Sequence, residues 1–261
     1  MQTETGKPSI KECVKLILLC LVFLYVTDII VAEKREDRRN REMALFDVIG
    51  PVMVGPSSSH TAGAVRIGLM ARALLKDEPA SGEIFLHGSF ATTGKGHGTD
   101  RAVVAGILGM EPDDMRIPDS FEIAQKEGFR FQIRCTTLKG AHPNTALIRL
   151  QGKDHREIEV QASSVGGGRV MVNRLDGIDV NFSGQNPTLI VHNLDQPGLV
   201  AEVSSVLANT SVNIATMHLY RERRGEHAVM VVETDQPVPG ETVSRLGETA
   251  GIIKVTYFGG I

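Results

Sequence analysis

After SGQNP at 183–187 the hydrophobic pattern resets, and the remaining segment admits few folds. TLIVHNL has the apolar and β-branched density of a strand, and DQPG turns the chain. LVAEVSSVLANT sets Leu199, Val203, Val206 and Leu207 on one face of a helix. NIATMHLYRE and EHAVMVVET read as strands joined across RRG, PGETVSRLGETAG as a second helix and IKVTYFG as a last strand. Residues 187–261 therefore run strand, helix, strand, strand, helix, strand.

That order is the ferredoxin-like arrangement, which by itself names no function. The turn narrows it. Pro197 presets φ at the helix start, Asp195 is placed to cap the helix, and Gly198 lets a carboxylate approach the first N–H groups. D-Q-P-G-L-V in this position, with Asn213 opening the second strand, resembles the ACT domain, a small regulatory module of amino-acid metabolism. The resemblance implies Asp195, Pro197, Gly198 and Asn213 as effector-binding residues. The competing reading is that the turn only builds the fold and that the domain only pairs with another copy.

Upstream the pattern mixes helices and strands. Thr61 to Leu75 has helix spacing, with Val65, Leu69, Met70 and Ala73 on one side; Gly63 and Gly68 lower its propensity, so close packing against another backbone is expected to compensate. EIFLHGSF alternates like a strand. A glycine-rich loop, ATTGKGHGTD, is expected next, then a helix RAVVAGILG capped by Thr99 or Asp100. FRFQIR, TALIRL, REIEVQAS, RVMVNRL and GIDVNFSG read as strands, so the fold class is α+β. ALFDVIGPVMVG is expected to form a helical turn or a strand.

The first 42 residues differ. VKLILLCLVFLYV at 14–26 is shorter than the roughly 20 residues a membrane helix needs, and the densely charged KREDRRNRE follows it. A membrane or signal segment, a docking helix, and an over-extended reading frame with the true start at Met43 are the three readings, of which the last is preferred. A membrane location is not expected. The net charge of −3 and pI of about 6.3 give no basic surface for nucleic acid. The cysteines, Cys13, Cys20 and Cys135, are scattered and form no CxxC pair, so no self-contained metal or iron–sulfur site is expected and a reducing cytoplasm is.

Four polar clusters stand out: GPSSSHTAG (55–63), HGSFATTGKGHGTD (87–100), HPNT (142–145) and SSVGGG (163–168). The first sits at the mouth of a helix, where unpaired N–H groups attract anions. Together they can wrap a small anionic ligand. The glycine spacing fits neither a P-loop nor a dinucleotide fingerprint, and GPSSSHTAG is not a nucleophile elbow. His87, His97 and His142 lack the spacing of a metal site. A pyridoxal-phosphate mechanism would have only Lys95 as a Schiff-base candidate.

GPSSSHTAGAVRIG, HGSFATTGKGHGTD, AHPNT and SVGGG, followed by an ACT-like domain, resemble the β subunit of bacterial iron–sulfur L-serine dehydratase from Met43 onward. The resemblance implies a dehydratase β domain at 43–183 and an ACT domain at 187–261. It implies conversion of L-serine to pyruvate and ammonia together with an α subunit that holds a [4Fe–4S] cluster, one iron acting as Lewis acid on the serine hydroxyl. It implies His60 as the group that moves a proton or hydrogen-bonds the substrate, with a turn-stabilising role as the alternative. Ser57, Ser58, Ser59 and Thr61 would hold the carboxylate, and His97 and Thr99 would complete the pocket or touch the α subunit. The domain also resembles one inserted in some phosphoglycerate dehydrogenases, which leaves a non-catalytic serine-binding regulatory subunit as the second reading.

Overall fold

The computed structural model describes residues 51–221 and 223–260, with the backbone alone at position 95. The expectations for residues 1–42 and for Met43 lie outside the described residues, as does the Lys95 side chain. The described part of ALFDVIGPVMVG, from Pro51, is irregular, neither helix nor strand. Among the described residues no helix is long and apolar enough to cross a membrane.

The chain enters a five-residue π-turn, Ser58–Ala62, that runs into α1 (Gly63–Leu75). Then come β1 (Pro79–His87), α2 (Ser89–His97), α3 (Thr99–Ile107), α4 (Ser120–Glu127) and β2 (Arg130–Thr136). β3 (Thr145–Gly152), β4 (Glu157–Gly166), β5 (Arg169–Leu175) and β6 (Ile178–Phe182) follow as a meander. The sheet order is β2-β1-β3-β4-β5-β6. Among the described strands of this sheet only β1 and β2 pair in parallel, because three helices carry the chain back between them. The fold is α+β.

α1 and α3 cross where both backbones are bare. A Cβ on Gly106 would overlap the Val65 carbonyl, and one on Gly68 the Val103 carbonyl. Gly68 therefore lets the helices touch, as expected, whereas Gly63 packs against the Ser164 side chain of the sheet rather than against another backbone. α1 lies over the sheet, and Ile67, Met70 and Leu74 of α1 share one buried core with Val103 and Ile107 of α3.

Two local expectations are corrected. ATTGKGHGTD is not a loop, since residues 89–97 form α2. Phe90 is fully buried, and burying such a ring, worth about 1.5–3 kcal/mol, offsets the cost of about 1 kcal/mol for each helical glycine. Neither Thr99 nor Asp100 caps α3. Gly98, at φ 65°, ends α2 and starts α3 at once, and Thr99 is already helical. The helix α4 is an addition to the sequence reading.

The second sheet contains β7 (Thr188–Leu194), β8 (Ile214–Arg221), β9 (His227–Thr234) and β10 (Ile252–Phe258), in the order β10-β7-β9-β8. With α5 (Leu199–Asn209) and α6 (Gly240–Gly247) it has the ferredoxin-like topology. Leu189, Val191, Val203, Leu207, Met230 and Leu246 form the core beneath the helices. The opposite sheet face is also buried, because Ile190, Val229, Val231 and Phe258 join the core of the first sheet. SGQNP therefore joins two sheets that share apolar packing.

Candidate active site

The π-turn places His60. Ser57, extended at φ −143° and ψ 120°, caps it, and its hydroxyl accepts from the His60 N–H at 3.1 Å. The N–H groups of Ser58 and Ser59 have no acceptor among the described residues, and neither do their half-buried hydroxyls form a bond there. A π-turn widens the helix by one residue, a feature frequent at functional sites.

The His60 ring is held at both nitrogens. Nε2 lies 2.8 Å from Ser89 Oγ and Nδ1 3.3 Å from Ser57 Oγ. Phe90 meets the ring edge-on at 5.5 Å, and the His97 ring centre is 4.9 Å away. Burial, and then the neighbouring His97, push the His60 pKa below its ordinary value, so the neutral ring, with one N–H and one accepting nitrogen, is favoured near pH 7.

The four polar clusters converge here. Thr61 Oγ1 donates to the His97 carbonyl at 3.2 Å, tying the π-turn to the end of α2. Ser89 N–H donates to the Pro143 carbonyl at 2.8 Å, and Ser164 N–H donates to the Asn144 carbonyl at 2.9 Å. Ser163 Oγ joins Thr145 Oγ1 at 2.8 Å and Asn173 Oδ1 at 2.6 Å. Arg66 reaches the Gly168 carbonyl at 3.1 Å. Three buried polar atoms, His97 Nδ1, Thr99 Oγ1 and Ser164 Oγ, have no hydrogen-bond partner among the described residues. Thr99 is fully buried within this chain.

Ser57, Ser58, Ser59, His60, Thr61 and His97 are thus brought together. Ser89 and Ser164, which sequence reasoning did not single out, belong with them. Their signal was only membership of the polar clusters. His87 and His142 stand apart as structural groups, each Nδ1 accepting a backbone N–H, from Leu138 and Asn144 respectively. No group of three or more His, Cys, Asp or Glu side chains gathers among the described residues, and Cys135 is exposed. A [4Fe–4S] cluster needs three or four thiolates, so these residues do not fit one.

The second sheet departs from expectation. Asp195 does not cap α5. Its carboxylate takes the Gly225 N–H at 2.9 Å and Arg221 at 2.8 Å, which in that order hold its pKa below the usual range. The cap is Gly198, at φ 97°. Asn213 bonds Asp235 Oδ2 at 2.5 Å, beside the residues that pair with the start of β7, whereas Asp195 and Pro197 follow its end. The four expected effector residues therefore lie at opposite ends of the sheet and form no common pocket within one copy.

Residues 44–127 match the family model described as serine dehydratase beta chain, and 187–251 match the ACT domain. A probable L-serine dehydratase β chain of Bacillus subtilis is 40% identical over 213 residues, which span 82% of this chain and 96% of that one. The L-serine dehydratase β chain of Peptoniphilus asaccharolyticus is 40% identical over 198 residues, 76% of this chain and 89% of that one. The chain belongs to the L-serine dehydratase β-chain family. His60 and the first two clusters lie within the stretch that the family model matches. By contrast, D-3-phosphoglycerate dehydrogenase of Bacillus subtilis is 21% identical over 133 residues and is matched over only 25% of its length. The purely regulatory reading is not favoured, since the β-chain relatives are matched almost end to end.

Proposed function

We propose that this chain is the β subunit of an L-serine dehydratase. With an α subunit it eliminates water from L-serine, and the resulting enamine hydrolyses to pyruvate and ammonia. One observation carries the reading: in a chain that matches β chains over nearly their whole length, the His60 ring sits between two serine hydroxyls at the mouth of a helix.

His60 is the proton-transfer group in this reading. Its lowered pKa suits a base at neutral pH. The N–H groups and hydroxyls of Ser58 and Ser59 bind the substrate carboxylate, as helix N-termini bind anions. Ser57 and Thr61 hold the turn, and His97 sets the polarity beside His60. In this reading the cluster belongs to the partner chain. An exposed Cys135 thiol suits a reducing, cytoplasmic setting. Self-association through the open edges of the second sheet, β8 and β10, gives those edges partners.

The test is anaerobic co-expression with the α subunit and assay of pyruvate from L-serine. His60→Ala is expected to lower kcat by about 10²–10⁴-fold in the assembled enzyme. Serine dehydration by the isolated chain would overturn the two-subunit reading. Near-normal kcat in His60→Ala would reduce His60 to a structural role.

A further inference from the structure

We infer that Ser89 holds His60 in the tautomer protonated on Nε2, which leaves the basic lone pair on Nδ1, beside Ser57. The inference rests on the reading of His60 as the proton-transfer group, and it makes Ser89 a positioning residue.

The number of hydrogens around the ring decides between the tautomers. A hydroxyl has one hydrogen to give and two lone pairs to receive. Thr93 gives its hydrogen to the Ser89 carbonyl at 2.8 Å, so Thr93 Oγ1, 3.5 Å from Ser89 Oγ, is left as an acceptor. Ser57 Oγ already receives the His60 backbone N–H. If Nε2 carries the proton, it donates to Ser89 Oγ, Ser89 donates on to Thr93, and Ser57 donates to Nδ1. Every hydrogen then has an acceptor. If Nδ1 carries the proton, two N–H groups converge on Ser57 Oγ, whose own hydrogen has no acceptor in this set. The first arrangement gains a hydrogen bond and avoids that crowding.

Ser89 is itself fixed. It follows Gly88, at φ 56° and ψ −123°, a conformation that side chains disfavour. A Cβ on Gly88 would press on the Pro143 carbonyl, to which Ser89 N–H is bonded. The serine that orients the ring is therefore anchored by the loop ahead of β3, independently of the π-turn. When Nδ1 takes a proton, the Nε2–H stays on Ser89 and the ring does not need to turn.

The tautomer is read directly by long-range ¹H–¹⁵N correlation on the full chain labelled at histidine nitrogen, above the ordinary histidine pKa of about 6.5. His60→Gln identifies the His60 signals. The wild type is expected to show the Nε2–H pattern, Ser89→Ala a mixture of tautomers, and Ser89→Thr, which keeps the hydroxyl, the wild-type pattern. In the assembled enzyme Ser89→Ala should lower kcat roughly tenfold with little change in KM, the scale of one lost hydrogen bond, and Ser89→Thr should restore it. An Nδ1–H pattern in the wild type, or an unchanged pattern in Ser89→Ala, overturns the inference. The spectra do not depend on dehydration of serine, so they decide it even if the proposed activity fails.

Discussion

A Cβ on Gly63 would overlap the side chain of Ser164. The junction of π-turn and α1 therefore rests directly on β4, and His60 inherits its height above the sheet from that contact. Helix propensity favours alanine over glycine by about 1 kcal/mol, whereas forcing a methyl into a filled space costs about 1–3 kcal/mol. Packing wins, so Gly63→Ala should lower stability in urea denaturation and also lower kcat. Gly106→Ala should be worse for stability, since its methyl would meet the Val65 backbone, which cannot rotate away. A Gly63→Ala chain more stable than wild type would mean that the turn lifts off β4 without cost.

The second sheet was legible because each local signal agreed with the fold. Alternating apolar runs, DQPG and a helix face of Leu199, Val203, Val206 and Leu207 gave every element in order. The residues that would bind an effector were less legible, because the turn chemistry does not reveal which partners the Asp195 carboxylate takes. α2 was missed because Gly94 and Gly96 read as loop, while burial of Phe90, a tertiary effect, holds the helix. α4 was missed although Asp119 precedes it and Gly128, at φ 79°, stops it, since its apolar content is low. At the candidate site, His60 was legible from its cluster. Ser89 lies 29 residues away and reaches it only through the Gly88 turn, which no local pattern encodes.

The pH dependence of the proposed reaction follows from the His60 environment. Burial first and His97 second favour the neutral ring. A base must be neutral to act, so kcat/KM should rise with pH along a limb whose midpoint lies below the ordinary histidine value of about 6.5. His97→Gln removes the second cause alone, and the limb should move up toward that value without reaching it. A wild-type limb at or above it would contradict the assigned environment.

His192 carries a related prediction for stability. It is largely buried at the end of β7, facing Asp176 of the β5–β6 turn at 3.7 Å, with Lys254 of β10 at 3.8 Å from the same carboxylate oxygen and His227 of β9 nearby. Burial lowers its pKa, Asp176 opposes this, and Lys254 and His227 add to it. The ring is therefore neutral near pH 7, and Lys254 supplies the charge opposite Asp176. The folded pKa lies below the unfolded one, so the unfolded chain takes up a proton first as pH falls. Stability should be level above about pH 6.5 and decline from there toward the folded pKa. His60 acts with the same sign, so His192→Gln should flatten the decline in part, as read from urea midpoints across pH. Stability that rises on acidification through this window would refute the assignment.

A chain ending at residue 186 tests whether the second sheet is an appendage. Ile190, Val229, Val231 and Phe258 lie in the core that the first sheet also builds, and Tyr220 Oη donates to the Asn181 carbonyl at 3.0 Å. Each large apolar side chain buried there is worth about 1.5–3 kcal/mol, so four of them together approach the roughly 5–15 kcal/mol that holds a whole domain folded. Removing them also uncovers Val180 and Phe182 of β6, buried in the same core. The truncated chain should therefore bind a hydrophobic dye, aggregate and lose cooperative unfolding, rather than persist as a well-folded half. If it stays soluble and unfolds cooperatively with the midpoint of the full chain, the shared packing contributes nothing, and the ACT sheet is free to move without disturbing the strands that carry Ser163 and Ser164.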